Sequence, residues 1–195
     1  MQAMLQIDPA TATGPTKAAF DEATAQFGGV INLFRVAGNA PNVLGGILAM
    51  NKALGSDITI SGKQVEQVAM LVSALNRCDY CVNVHMQVGK GQGLSETDML
   101  DAMAGRANDP ADQALLDYTN EVVRNRGLVS DATMARVRSA GFSDRALLEV
   151  IGVVGVYTTL QYIRHVGHPE QDFPVVAAFD AIKHGADDGA AYEAL

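Results

Sequence analysis

Only two cysteines occur in the 195 residues, and they sit three apart, as Cys78 and Cys81. A pair so close cannot staple distant parts of a fold, and a cytoplasmic Cys-x-x-Cys is more often catalytic or metal-binding than structural. Basic residues are scarce as well. Fourteen Lys and Arg face 22 Asp and Glu, for a formal net charge of -8. With no Lys/Arg cluster, the phosphate-binding surface on which nucleic-acid affinity rests is missing, so no nucleic-acid partner is expected. Long apolar runs are missing too. The longest candidate, residues 146–160, is interrupted by Glu149 and two glycines, so a transmembrane helix and a membrane partner are not expected. The N-terminus has no basic stretch followed by an apolar one, so no signal peptide is read and the expected compartment is the cytoplasm.

What the chain does have is ordinary globular chemistry. Hydrophobic residues make up 48% and charged residues 18%, at a length that suits one domain with a real core. Residues 1–195 are read as a single helical domain, with 1–13 as a loose N-terminal arm. Pro15 fits the first turn of a helix to about Phe27, and Gly28-Gly29 ends it. A short apolar segment, 30–36, follows. Pro41-Asn42 starts a helix through Leu54, with Gly55 as its stop, and Ile58-Thr59-Ile60 is an extended connector. Ser61 is a plausible N-cap for a helix with Val65, Val68, Ala69, Val72 and Leu75 on its core face. Asn76 is then expected to cap the next helix, with Asp79 in its first turn and an end near Gly89 to Gly93. Ser95, Asp109-Pro110, Ser130 and Ser143 open four more helices; the last is long and apolar and ends before Pro169. Roughly eight helices without a convincing strand pair make an all-α bundle.

The bundle is organised around Arg77-Cys78-Asp79-Tyr80-Cys81-Val82-Asn83-Val84-His85. On one helix, Cys78, Cys81 and His85 share a face, because residues three, four and seven apart do. Glu66 lies twelve residues before Cys78. One straight helix would hold it about 18 Å away, so a break between the two helices is needed to bring it back. The thiolate is the reactive form of cysteine, and a helix N-terminus favours that anion. His85 can take the proton from Cys81 across the i, i+4 spacing, and Glu66 can orient the imidazole or accept the proton through water. After Cys81 has met a peroxide or a disulfide, Cys78 stands near enough to resolve the product as an intramolecular disulfide.

A glutamate, eleven residues, then Cys-x-x-Cys-x-x-x-His resembles the motif of the alkylhydroperoxidase D and carboxymuconolactone decarboxylase-like family, and Glu66, Cys78, Cys81 and His85 match it at every spacing. Pro41-Asn42-Val43-Leu44, Tyr162-Ile163-Arg164-His165-Val166 and Asp172-Phe173-Pro174 extend the likeness, the last two toward its peroxidase-related members. The resemblance implies an alkylhydroperoxidase D-like helical fold, built into trimers or hexamers, with a peroxide-reducing dithiol. By the same analogy Cys81 is the peroxidatic thiol, Cys78 the resolving thiol, His85 the relay and Glu66 the distal base. One departure stands out. Alkylhydroperoxidase D has a histidine between its cysteines where this chain has Tyr80, and tyrosine cannot shuttle protons near neutral pH as histidine does.

The reading is therefore a cysteine-dependent peroxidase-like oxidoreductase that reduces hydroperoxides through a Cys78–Cys81 dithiol/disulfide cycle. No flavin, haem or nicotinamide motif is present, so no cofactor is expected and the electrons come from an external dithiol or a protein reductant. Other readings of the same residues are zinc held by Cys78, Cys81, His85 and Glu66, two merely buried thiols, a lactone decarboxylase, and a non-catalytic oligomeric helical module. One Cys-x-x-Cys without a second pair is a weak metal signal, and no metal is assigned. Met70, Met86, Met99 and Met103 are read as core. His165 matches a family position without a chemical role of its own.

Overall fold

The computed structural model describes residues 3–179. Among them are nine α-helices and no strand: α1 (Gly14–Phe27), α2 (Asn32–Ala37), α3 (Pro41–Ser56), α4 (Gly62–Leu75), α5 (Asp79–Gly91), α6 (Glu96–Met103), α7 (Pro110–Arg124), α8 (Asp131–Ser139) and α9 (Asp144–Gly167). The expected starts at Ser61, Asp109, Ser130 and Ser143 are used as written. Ser61 accepts from the Gln64 amide while Gln64 reaches back to the Ser61 amide, a capping box for α4. Asp109, Ser130 and Ser143 cap α7, α8 and α9 through their side chains. The additional helix is α2. Its six residues lie in the stretch expected only as a short apolar segment, and Leu33, Phe34, Val36 and Ala37 are buried on it.

Helix α4 is the axis of the molecule, packing against α5, α6, α7 and α9. Eight consecutive residues, Glu66 through Ser73, are buried on it, which is why a carboxylate can sit there without water. On one side Val68 and Val72 join Leu115, Tyr118, Val137, Val150 and Val153. On the other, Met70 and Leu71 join Val82, Met86, Met99 and Met103, so the four methionines are core. Helix α1 packs with α3 over Phe20, Phe34, Leu44 and Leu48. By length and composition α9 is the one helix among the described residues that could cross a bilayer. Here it lies against α2, α3, α4 and α7.

One local expectation, the cap of α5, is corrected. Residues 3–13, in the expected N-terminal arm, carry no helix, and part of the arm is hydrogen-bonded to the bundle. Met4 N–H donates to the Gly167 carbonyl (2.9 Å) and Ile7 N–H to that of Arg35 (3.1 Å). The Leu5 and Ile7 carbonyls accept from the Asn39 and Arg35 side chains. Asn76, expected to open α5, instead closes α4 as its C-cap. Arg77 then turns the chain in the left-handed region (φ 53°) and Cys78 becomes the N-cap of α5, its sulfur accepting from the Cys81 amide at 3.3 Å. The shift puts a sulfur, rather than an amide, over the positive end of the helix.

Candidate active site

That turn builds the site. With α4 ended at Asn76, α5 runs back alongside it, and Glu66 returns to the level of His85. The carboxylate Oε2 lies 2.9 Å from His85 Nδ1, both side chains over nine-tenths buried. An ionised carboxylate only accepts, so this contact places the proton on Nδ1 and leaves Nε2 as the nitrogen open to exchange. Cys78 and Cys81 are joined as a disulfide, with Cα atoms 5.3 Å apart. Cys78 is wholly buried, whereas Cys81 borders a pocket of about 460 Å³ together with His85, Glu66 and Tyr80. Apolar and aromatic side chains form most of the remaining wall, including Phe27, Phe34, Leu48, Leu160 and Phe173. The structure thus brings Cys81, Cys78, His85 and Glu66 together. Among the described residues no group of three or more His, Cys, Asp and Glu is arranged to hold a metal ion.

The Tyr162-to-Val166 stretch clamps the turn rather than entering the chemistry. Arg164 pairs with Asp79 at 2.6 Å, and the Asn76 carbonyl accepts from His165 Nε2 at 2.8 Å. Asn76 Nδ2 donates to Gln161 (2.6 Å) and Thr158 (3.2 Å). Helix α9 therefore grips both sides of the dithiol from outside.

Tyr80, which stands between the two cysteines, has a structural use. Its hydroxyl donates to Asp172 and accepts from the Leu33 amide (3.2 Å), while the Asn32 amide also donates to Asp172 (3.0 Å). Burial, followed by the Asp172 carboxylate, pushes the phenol far above its ordinary value. It stays neutral and held, so it fastens the chain rather than relaying protons. What it fastens is the segment after α9, which recrosses α2 and α5. Asn83 holds the same segment, donating to Gln171 (3.0 Å) and accepting from the Val176 amide (2.8 Å). Phe173, next to Asp172, is thereby set into the pocket wall.

Tyr80→Phe is expected to destabilise the fold by about 1–3 kcal/mol in urea unfolding, since it orphans a buried amide and removes a donor from a carboxylate. The sign with pH follows. A phenol whose folded pKa is raised contributes fully below its unfolded value of about 10 and loses that contribution as pH rises through the folded one. The wild-type advantage over Tyr80→Phe should therefore hold at neutral pH and shrink only in alkali.

Sequence reasoning missed Tyr157. It lines the pocket from α9, with its ring edge-on to the His85 ring at 4.6 Å between centroids. Burial, then the charge of Glu66, raises its pKa. Nothing local marks it, because it meets His85 only through the packing of α9 on α4.

Residues 41–124, from the start of α3 to the end of α7, match the model of the carboxymuconolactone decarboxylase family. The matched segment holds Glu66, Cys78, Cys81 and His85. Over that segment the chain is similar to the carboxymuconolactone decarboxylase family. No curated protein matches it. Among solved structures, a peroxidase-related protein with the alkylhydroperoxidase AhpD core from Ralstonia eutropha JMP134 is similar at a TM-score of 0.75 and 18% identity, over 91% of this chain and 93% of that one. A peroxidase-related protein from Silicibacter sp. TM1040 follows at 0.70 and 21%, over 91% and 93%. A debrominase solved with 2,3,4-tribromopyrrole has a TM-score of 0.70 at 14% identity, over 94% and 95%. At these identities the likeness is one of fold. Against the family motif the chain keeps glutamate, both cysteines and histidine, and it replaces the intervening histidine with the fastened Tyr80.

Proposed function

We propose that this alkylhydroperoxidase D-like protein is a cysteine-dependent peroxidase-like oxidoreductase that reduces organic hydroperoxides through a Cys78–Cys81 dithiol/disulfide cycle. One observation carries the reading: the single sulfur that reaches the pocket, Cys81, is bonded to a buried Cys78 and shares that pocket with a His85–Glu66 pair. In the reduced protein His85 Nε2 takes the Cys81 proton, while Glu66 steadies the imidazolium through Nδ1. The Cys81 thiolate attacks the terminal oxygen of ROOH. The O–O bond breaks, Cys81 becomes a sulfenic acid, and the departing RO⁻ takes a proton to give ROH. Sulfur gives up two electrons and the peroxide gains them. The Cys78 thiol then attacks the sulfenic sulfur, which forms the disulfide and releases water. An external dithiol or a protein reductant returns both thiols, as a reducing cytoplasm would supply.

The pocket's size and aromatic wall favour an apolar R group over hydrogen peroxide, since little but apolar contact is on offer there. The direct test mixes the dithiothreitol-reduced, desalted protein with one equivalent of cumene hydroperoxide and follows intact mass. Loss of two hydrogens, faster than with hydrogen peroxide, is the expected result. A reduced protein left unchanged in mass over hours would refute the reading. Activity that survives thiol alkylation would favour the lactone decarboxylase, and cysteines of ordinary reactivity the non-catalytic module.

The resemblance's trimer or hexamer has a surface to use. Leu148, Ile151, Tyr162 and Val166 are 44–68% exposed, and with Gly155 and Thr159 they run at spacings of three and four along the outer face of α9. A stripe of this kind fits a helix–helix contact between copies. Ile151→Glu is expected to lower the mass seen by light scattering toward that of the 20.6 kDa chain, and an unchanged mass would remove α9 from the interface.

A further inference from the structure

Tyr157 is the one polar side chain at the pocket whose hydroxyl has no assigned work. Glu66 is engaged with His85, Tyr80 with Asp172 and the Leu33 amide, and Asn51 with Gln26, while Gln92 is exposed to solvent. The Tyr157 hydroxyl has no hydrogen-bond partner among the described residues, although its ring is anchored edge-on against His85. It stands where the main pocket adjoins a smaller cavity of about 100 Å³, and it lines both. Tyr157 is half-buried and borders both cavities, so an occupant of the pocket can meet it. A phenol held against His85 and lining the pocket is placed to donate to a ligand bound beside the His85–Glu66 pair.

Resting on the peroxidase reading above, we propose that Tyr157 is a catalytic residue whose hydroxyl donates a hydrogen bond to the leaving oxygen of the hydroperoxide. As Cys81 sulfur bonds to the terminal oxygen, the O–O bond breaks and negative charge gathers on the other oxygen, which leaves as RO⁻. The Tyr157 hydroxyl stabilises that charge without giving up its own proton. The proton that makes ROH comes from the His85 imidazolium, which had received it from Cys81. The balance is thiolate plus ROOH plus that proton, going to sulfenic acid plus ROH. Burial and the nearby Glu66 charge keep the phenol protonated, so it is a donor throughout the working pH range. A hydrogen bond that strengthens as charge develops acts on the transition state more than on the bound substrate.

The test uses the full chain with Cys78→Ser, so that Cys81 is the only thiol, with and without Tyr157→Phe. Single-turnover loss of the thiol is followed with three reagents. Cumene hydroperoxide expels a poor leaving group, the alkoxide. Peracetic acid expels a carboxylate, which needs no donor. Iodoacetamide expels iodide and reports only the thiolate. Tyr157→Phe is expected to slow cumene hydroperoxide by about tenfold or more, with peracetic acid and iodoacetamide within about twofold. A structural role would slow all three alike, and that result overturns the proposal, as does an unchanged cumene hydroperoxide rate. If iodoacetamide labels Cys81 while neither peroxide oxidises it in the parent, the peroxidase reading itself fails and takes this proposal with it. A folding defect is separated by circular dichroism and melting temperature, because phenylalanine preserves the ring against His85.

Discussion

Replacing Cys81 with serine should bring hydroperoxide consumption down to the uncatalysed rate, a loss on the order of a thousandfold or more. The argument is one of access and acidity. Cys78 is wholly buried and Cys81 is the sulfur at the pocket, so no second thiol can take over the attack. A serine hydroxyl ionises too weakly at neutral pH to replace a thiolate, even with His85 one turn away. Cys78→Ser should behave differently. It keeps the attacking sulfur and its base, so one equivalent of peroxide is consumed and a sulfenic acid remains that dimedone can trap. Turnover then stops, because nothing adjacent can expel water from that sulfur. The pair of variants therefore separates attack from resolution. If Cys81→Ser consumed peroxide as wild type does, or if Cys78→Ser turned over freely, the assignment of the two sulfurs would be wrong.

The centre of this site was legible because it is local. Cys81 and His85 lie on one helix, and i, i+4 spacing fixes their neighbourhood whatever the rest of the chain does. Glu66 required one further inference, a break after α4, and the break is there. Its details differ from the expectation because a side chain able to cap was read where a backbone turn was needed. Asn76 is a fair N-cap by residue type, yet its amide is used by Thr158 and Gln161 on α9. The left-handed conformation then falls to Arg77, a residue type that does not advertise it. Helix α2 was read only as an apolar segment because six residues are too few for a 3.6-residue period to show. Tyr157 and Asp172 were out of reach for a deeper reason. They come to the dithiol through the packing of α9 and the recrossing of the chain after it, 72 residues beyond His85 in the first case and 92 beyond Tyr80 in the second. Periodicity reports which face a residue occupies, not what that face will meet. The contacts of residues 4–7 were hidden for the same reason, since their partners are the Gly167 and Arg35 carbonyls and the Arg35 and Asn39 side chains.

Glu66→Gln is the second large effect, and it tests whether the buried carboxylate acts by charge or by shape. Glutamine fills the same space and still reaches His85 Nδ1 through its amide oxygen, so the ring keeps its orientation. What disappears is the negative charge facing an imidazolium that forms when Cys81 gives up its proton. In a setting over nine-tenths buried that charge is weakly screened, and the cationic histidine loses its partner where solvation is least available. The expected result is a fall of about a hundredfold in the rate of Cys81 oxidation at neutral pH. It should be accompanied by a rise in the pH at which the Cys81 thiolate forms, seen as absorbance near 240 nm in the Cys78→Ser background. His85→Asn should give a similar loss, and the double variant little more than either alone, because two groups that act as one unit are not additive. A double loss equal to the product of the single ones would mean that Glu66 acts on the substrate directly. Glu66→Gln with an unchanged thiolate transition and wild-type rates would reduce the carboxylate to packing, and the His85–Glu66 contact would then be an accident of the fold.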